Sequence, residues 1–315
     1  MQHEVRVASS PRSGLAARRQ GPTIARHLSH CMNDRIWIPA AFLFDEGMLL
    51  LHEPVHADRR ALVASLLEFD YPKPFVFDNG VVRRLHFSPM YVQSEMVIRV
   101  PNDLSLAYTR KMMAFMLFMS APRHILVVGL GGGSLTKYCY HHLPTTRITT
   151  VEINSEVIAF SDLFEVPPQG ARHTLVQGDA VDYVASMTDR VDIVLIDGCD
   201  KHGIAPTFCD DAFYREIRAR LEPDGLLVMN LVGPTDARRA NLRMIASAFG
   251  ARLLVQEVSI DGNQIVFAFN NTAYQPNWPL IERKAAWLAR HHGLDFGRLA
   301  QKLRRTHQGP QRAPW

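Results

Sequence analysis

Asp197 and Asp200 stand three positions apart, directly after the apolar run 191–196. Two carboxylates so spaced in a loop can both point into one cleft. Together they would attract a cationic amine, and one could take its proton as the nitrogen becomes a nucleophile. Crowding the pair raises one pKa, which suits a base near neutral pH. The competing reading is a turn in which each Asp caps a neighbouring amide. Their place at a predicted strand end favours chemistry, with Asp197 and Asp200 as the candidate catalytic residues.

Three other groups fall at comparable places. Ile125-Leu-Val-Val-Gly-Leu-Gly-Gly-Gly133 is an apolar run closing in a glycine-rich turn. Glycine lets a backbone turn sharply and approach a ligand where a Cβ would clash. Val151-Glu152 closes the next apolar run, and its carboxylate can accept hydrogen bonds from two ribose hydroxyls. Gly178-Asp179-Ala180 follows a third run, and Asp179 can accept from the exocyclic amine of adenine. The candidate nucleoside-binding residues are therefore Gly129, Gly131, Gly133, Glu152, Asp179 and Ala180. Each signal is weak alone. Four consecutive strand ends are specific, because open parallel sheets bind ligands beyond the carboxyl ends of their strands.

The elements that must position these groups are legible from periodicity. Strands are predicted at 125–128, 148–152, 173–177, 191–196, 226–232, 252–259 and 264–269. Helices are predicted at 134–142, 155–163, 180–186, 209–220 and 236–248. Such alternation gives a parallel sheet with helices on both faces. Asp261-Gly262 predicts a hairpin that adds an antiparallel edge. The fold class is α/β, a Rossmann-like seven-stranded sheet of the S-adenosylmethionine-dependent methyltransferase type. Ahead of it, Asn79-Gly80 and a strand at 91–100 predict a small N-terminal antiparallel β-unit. A helix is expected at 56–69 and another, rich in Met, at 104–119, where the Met stripe reads as core filler. Helices near 279–292 and 295–305 close the chain. The expected organisation is a basic tail without regular structure (1–31), an N-terminal region with the β-unit (32–103), the nucleoside-binding domain (104–275) and a basic helical tail (276–315). Met32 is a possible alternative start.

Composition narrows the class. With 47% hydrophobic and 21% charged residues, the 315-residue chain reads as a globular enzyme-sized protein. No apolar run approaches the ~20 residues that span a bilayer, so no membrane segment is expected. No apolar leader segment is evident at the N-terminus. Four cysteines without CxxC spacing point to a reducing, cytoplasmic setting. Cys139, His141 and His142 are read as passengers on one helix, so no metal is expected. Residues 1–31 hold five Arg against one Glu, and 282–315 hold eight Lys or Arg against two acids. No aromatic residues alternate with the basic ones in the N-terminal tail, so solvated termini are favoured over nucleic-acid binding. The body between them carries 22 basic and 28 acidic side chains, which weakly suits a cationic substrate.

From about Phe87 to Phe269 the chain resembles the spermidine synthase (polyamine aminopropyltransferase) family, in a divergent, spermidine synthase-like form. The resemblance is carried by the 125–133 run, Val151-Glu152-Ile153-Asn154, Gly178-Asp179-Ala180 and Asp197-x-x-Asp200. It continues through Phe213-Tyr214-Arg215-Glu216 and Leu221-Glu222-Pro223-Asp224-Gly225. It implies aminopropyl transfer from decarboxylated S-adenosylmethionine to an amine such as putrescine. It also implies Asp197 as the base, Asp200 as a holder of the amine, and nucleoside roles for Glu152 and Asp179. Gln93, following Tyr91, aligns with the family's donor-contacting Gln. The family often pairs through its β-domain, which makes a homodimer possible. The family loop reads GGGDGG, whereas here Gly132 takes the place of its aspartate, and Lys201 stands where the family has proline. The Tyr-x-Glu-Met element is not recognisable in 102–113. Two other readings stay open: a methyltransferase using intact S-adenosylmethionine, motivated by Gly132, and a nucleoside-binding protein without activity.

Overall fold

The computed structural model describes residues 34–44, 46–200, 203–204, 208, 210–250, 253–258 and 262–308, with backbone only at 199–200, 203–204 and 308. The tail 1–31, Met32, Lys201 and Asp261 lie outside the described residues, as does the side chain of Asp200.

An antiparallel sheet comes first. It has the order β1-β2-β3-β4-β5, built from Ile36–Pro39, Met48–Leu51, Phe75–Asp78, Val82–Ser88 and Tyr91–Val97. The Asn79-Gly80 turn joins β3 to β4 as the dipeptide predicts, with Gly80 at φ +78°. Sequence periodicity left β1 and β2 unplaced, since four-residue strands offer little pattern to read. Between β2 and β3, α1 (Arg59–Leu67) starts where Asp58 caps the amides of Arg60 and Ala61.

The main sheet has seven strands in the order β13-β14-β12-β9-β6-β7-β8. In chain order these are β6 (His124–Val128), β7 (Arg147–Glu152), β8 (His173–Gln177), β9 (Val191–Ile196), β12 (Leu221–Leu231), β13 (Leu253–Glu257) and β14 (Gln264–Phe269). A two-stranded ribbon, β10 (Cys199–Asp200) against β11 (Gly203–Ile204), follows β9. Strands β12, β9, β6, β7 and β8 run parallel, and β14 pairs antiparallel with both β12 and β13. Every residue of β6 and β9 is buried, which is why these strands read as continuous apolar runs rather than alternating ones.

Helices cover both faces. One carries α2 (Ala107–Met112) and its 3₁₀ continuation Met113–Leu117, then α3 (Ser134–His142) and the C-terminal pair α8 (Trp278–His292) and α9 (Phe296–Gln308). The other carries α5 (Ala180–Ser186), α6 (Asp211–Arg220) and α7 (Thr235–Phe249). Met112, Met113 and Met116 are fully buried, so the methionine stripe is core. The helix expected over 104–119 is shorter, because residues 113–117 tighten into 3₁₀ geometry under the sheet. The helix expected over 155–163 stops at Ala159 as α4 (Ser155–Ala159), and turns run on to Glu165 at φ +55°. Side chains from outside the main sheet meet this segment. Arg35 pairs with Asp162 at 2.9 Å and donates to the Ala159 carbonyl, His52 pairs with Glu156, and Arg83 donates to the Leu163 carbonyl. The small sheet is thereby fastened to the element that follows Glu152.

Candidate active site

The sheet order lays four strand ends side by side at one edge. After β9 comes Asp197, after β6 the glycine turn, at the end of β7 Glu152, and after β8 Asp179. They border one cavity of about 420 Å³. Gly129, Gly131, Glu152, Asp179, Ala180 and Asp197 line it together with Gln93. Gly133 is not a lining residue. It turns at φ +68° as the N-cap of α3, where an added Cβ would lie 2.6 Å from Val166 Cγ2. Asp200 follows Asp197 in the β10 ribbon, where its backbone pairs with Gly203.

Gly129 shows why the turn needs glycine. Its φ is +94°, and a Cβ there would sit 2.5 Å from the carbonyl oxygen of Asp197. A side chain would push the first and fourth strand ends apart. Glu152 is 8% exposed and binds the turn itself: the Leu130 amide donates to Oε2 at 2.9 Å and the Asn154 amide to Oε1 at 2.8 Å. Burial raises its pKa, and these backbone amides oppose the rise. The amides of Gly131 and Ile153 also stabilise its ionised form. Asp179 caps α5, its Oδ1 accepting from the Val181 amide at 2.7 Å.

Asp197 is held from two sides. The Tyr108 phenol donates to Oδ2 at 3.0 Å and the Asn230 amide donates to Oδ1 at 2.9 Å. Desolvation pushes this carboxyl up from 3.8 to about 6, against the pull of those two donors. A carboxylate so placed can take a proton near neutral pH and is oriented by two neutral donors.

Sequence reasoning did not single out Tyr108, Asn230 or Ser94. Tyr108 sits within 102–113, where the chain reads Tyr108-Thr-Arg-Lys-Met112, and a tyrosine in that stretch was the available signal. Asn230 is the polar exception in the otherwise apolar second half of β12, and it too could have been found. Phe87 and Phe208 add apolar walls, with the Phe208 ring packed over Gly198 so closely that a Cβ there would lie 2.4 Å away. Among the described residues, no group of three or more His, Cys, Asp and Glu gathers into a metal-ligand set. Cys139 is fully buried, its Sγ 4.0 Å from Met113 Sδ. No described helix is long and apolar enough to cross a membrane.

Residues 105–235 match the model of the spermine/spermidine synthase domain. A polyamine aminopropyltransferase of Neisseria meningitidis is 33% identical over 239 residues, covering 75% of this chain and 91% of that protein. Among solved structures, a spermidine synthase in complex with the transition-state analogue AdoDATO is similar at a TM-score of 0.60 and 15% identity, over 76% of this chain and 82% of that one. Human methyltransferase-like protein 13 in complex with SAH is similar at a TM-score of 0.52 and 23% identity, over 65% and 94%. The two structures share the fold. On the sequence match across most of both chains, this protein belongs to the polyamine aminopropyltransferase (spermine/spermidine synthase) family of enzymes.

Proposed function

We propose that this chain transfers an aminopropyl group from decarboxylated S-adenosylmethionine to an amine of the putrescine class. The observation that carries the reading is Asp197, buried at the end of β9, aimed by Tyr108 and Asn230, with its pKa raised to about 6. Family membership supplies the donor chemistry.

The strand ends suggest the donor's orientation. Asp179 receives the adenine amine on the oxygen that does not cap α5. Glu152 receives the ribose hydroxyls, and the bare backbone of Gly129 and Gly131 carries the sulfonium. The acceptor amine reaches the donor from the Asp197 side. Asp197 takes a proton from the ammonium, and the neutral nitrogen attacks the carbon beside sulfur. The N–C bond forms as the C–S bond breaks, and the electron pair stays on sulfur as methylthioadenosine leaves. The sulfonium is already activated, so holding the two reactants in line supplies much of the rate. Asp200 lies close enough in sequence to help hold the polyamine.

Mass spectrometry of the purified protein with the decarboxylated donor and a pool of polyamines tests this. Methylthioadenosine together with an aminopropylated amine is the expected outcome. S-adenosylhomocysteine formed from intact S-adenosylmethionine would replace it with methyl transfer.

A further inference from the structure

With the donor so oriented, the sulfonium lies on the glycine turn and its tail extends toward β5 and the first turn of α3. Two hydroxyls meet there. Ser94 of β5 and Ser134, the first residue of α3, both line the cavity, with their Oγ atoms 3.4 Å apart. Ser94 is only 5% exposed, so its hydroxyl is committed to this corner.

Gly132 explains why the corner belongs to Ser94. A Cβ at 132 would lie 2.7 Å from Ser94 Oγ and 2.8 Å from Phe164 Cδ1. The Phe164 backbone is pinned in turn, since the buried Lys137 ammonium donates to its carbonyl at 2.7 Å. The turn therefore has no room for an acidic side chain at 132. The cavity residues adjoining the two hydroxyls in sequence or at the turn, Gln93, Gly131 and Leu135, carry no charge, and the carboxylates among the described lining residues are those of Glu152, Asp179 and Asp197 at the strand ends. Nor does Gly133, the N-cap of α3, provide a side-chain cap for the helix amides beside them.

This changes what the corner can hold. A carboxylate would attract a tail ammonium and repel a tail carboxylate. A hydroxyl can accept from the first and donate to the second. We propose, on the donor reading above, that Ser94 and Ser134 form a neutral subsite for the donor's tail. This subsite admits the zwitterionic amino-acid tail of intact S-adenosyl compounds as well as the bare aminopropyl tail. Ser94 is its specificity-determining residue.

Calorimetry on the full chain with three ligands separates the possibilities: methylthioadenosine (no tail), S-adenosylhomocysteine (amino-acid tail) and decarboxylated S-adenosylmethionine. The expected result is S-adenosylhomocysteine bound about tenfold more tightly than methylthioadenosine, and within about tenfold of the decarboxylated donor. Ser94→Ala should weaken S-adenosylhomocysteine by about tenfold and leave methylthioadenosine within about twofold. Ser134→Ala repeats the test from the other hydroxyl should the first variant fold poorly. A purely structural role would weaken both nucleosides alike and overturns the subsite. So does an amino-acid tail that adds no affinity, although aminopropyl transfer would then still stand. Binding of none of the three ligands overturns both readings.

Discussion

Tyr108 and Asp197 are joined across 89 positions of sequence by a 3.0 Å hydrogen bond from the phenol to Oδ2. The bond stabilises the ionised carboxylate, whereas burial favours its neutral form, and burial is the larger effect. The site is thus a carboxyl kept ready to accept a proton.

This balance predicts the pH profile. In the proposed reaction Asp197 accepts a proton, which it can do only when ionised, so kcat/KM should fall as pH drops through about 6. Tyr108→Phe removes one stabiliser of the ionised form. Its acid limb should move above pH 6, with the plateau rate reduced by about tenfold. A pH–rate profile of both proteins checks this, and a limb that stays put or moves down would rule out the phenol as a donor to the carboxylate.

Asp197→Asn keeps the size of the side chain and removes its basicity. Turnover should drop by about a thousandfold, in the range of lost general-base catalysis, with methylthioadenosine affinity changed by less than about threefold. Single-turnover assays beside equilibrium binding separate the two effects. Near-normal turnover would exclude Asp197 as the base.

Gly129→Ala places a methyl group 2.5 Å from the Asp197 carbonyl oxygen at a φ of +94°. The strain and the forced separation of β6 from β9 should cost about 3 kcal/mol or more. Chemical denaturation measures the loss. A variant of wild-type stability would show that these strand ends are not in contact.

Lys137 is 1% exposed, and burial pushes its ammonium down from 10.5 to about 8. Below pH 8 the folded protein carries the full cost of the buried charge. Between pH 8 and 10.5 the folded state releases the proton before the unfolded state does, so stability rises with pH. The Tm of the wild type relative to Lys137→Met should therefore increase across that window. Thermal melts at stepped pH test it, and a constant difference would mean the ammonium is not desolvated.

The strand ends were legible because their signals are local. A central parallel strand is apolar along its whole length, and a turn that must pass close to a ligand needs glycine. Both facts are written in adjacent residues at 125–133 and 191–198. The strand order that sets Asp197, the glycine turn, Glu152 and Asp179 in one row was not so written, because alternation makes strands parallel without deciding that β9 lies beside β6 rather than β8. The stop of α4 at Ala159 was not legible, because its turns are held by Arg35, Arg83 and Lys137 from outside the segment.

What the sequence by itself determined is the α/β architecture and the identity of the residues at its strand ends, since short-range periodicity encodes which backbone is buried. Only the tertiary structure decided which side chains complete the site. Tyr108 comes from a helix before the first parallel strand, Asn230 from β12 and Ser94 from the edge of the small sheet. Their convergence on Asp197 and Gly132 depends on how the layers pack, and no spacing within the chain carries that information.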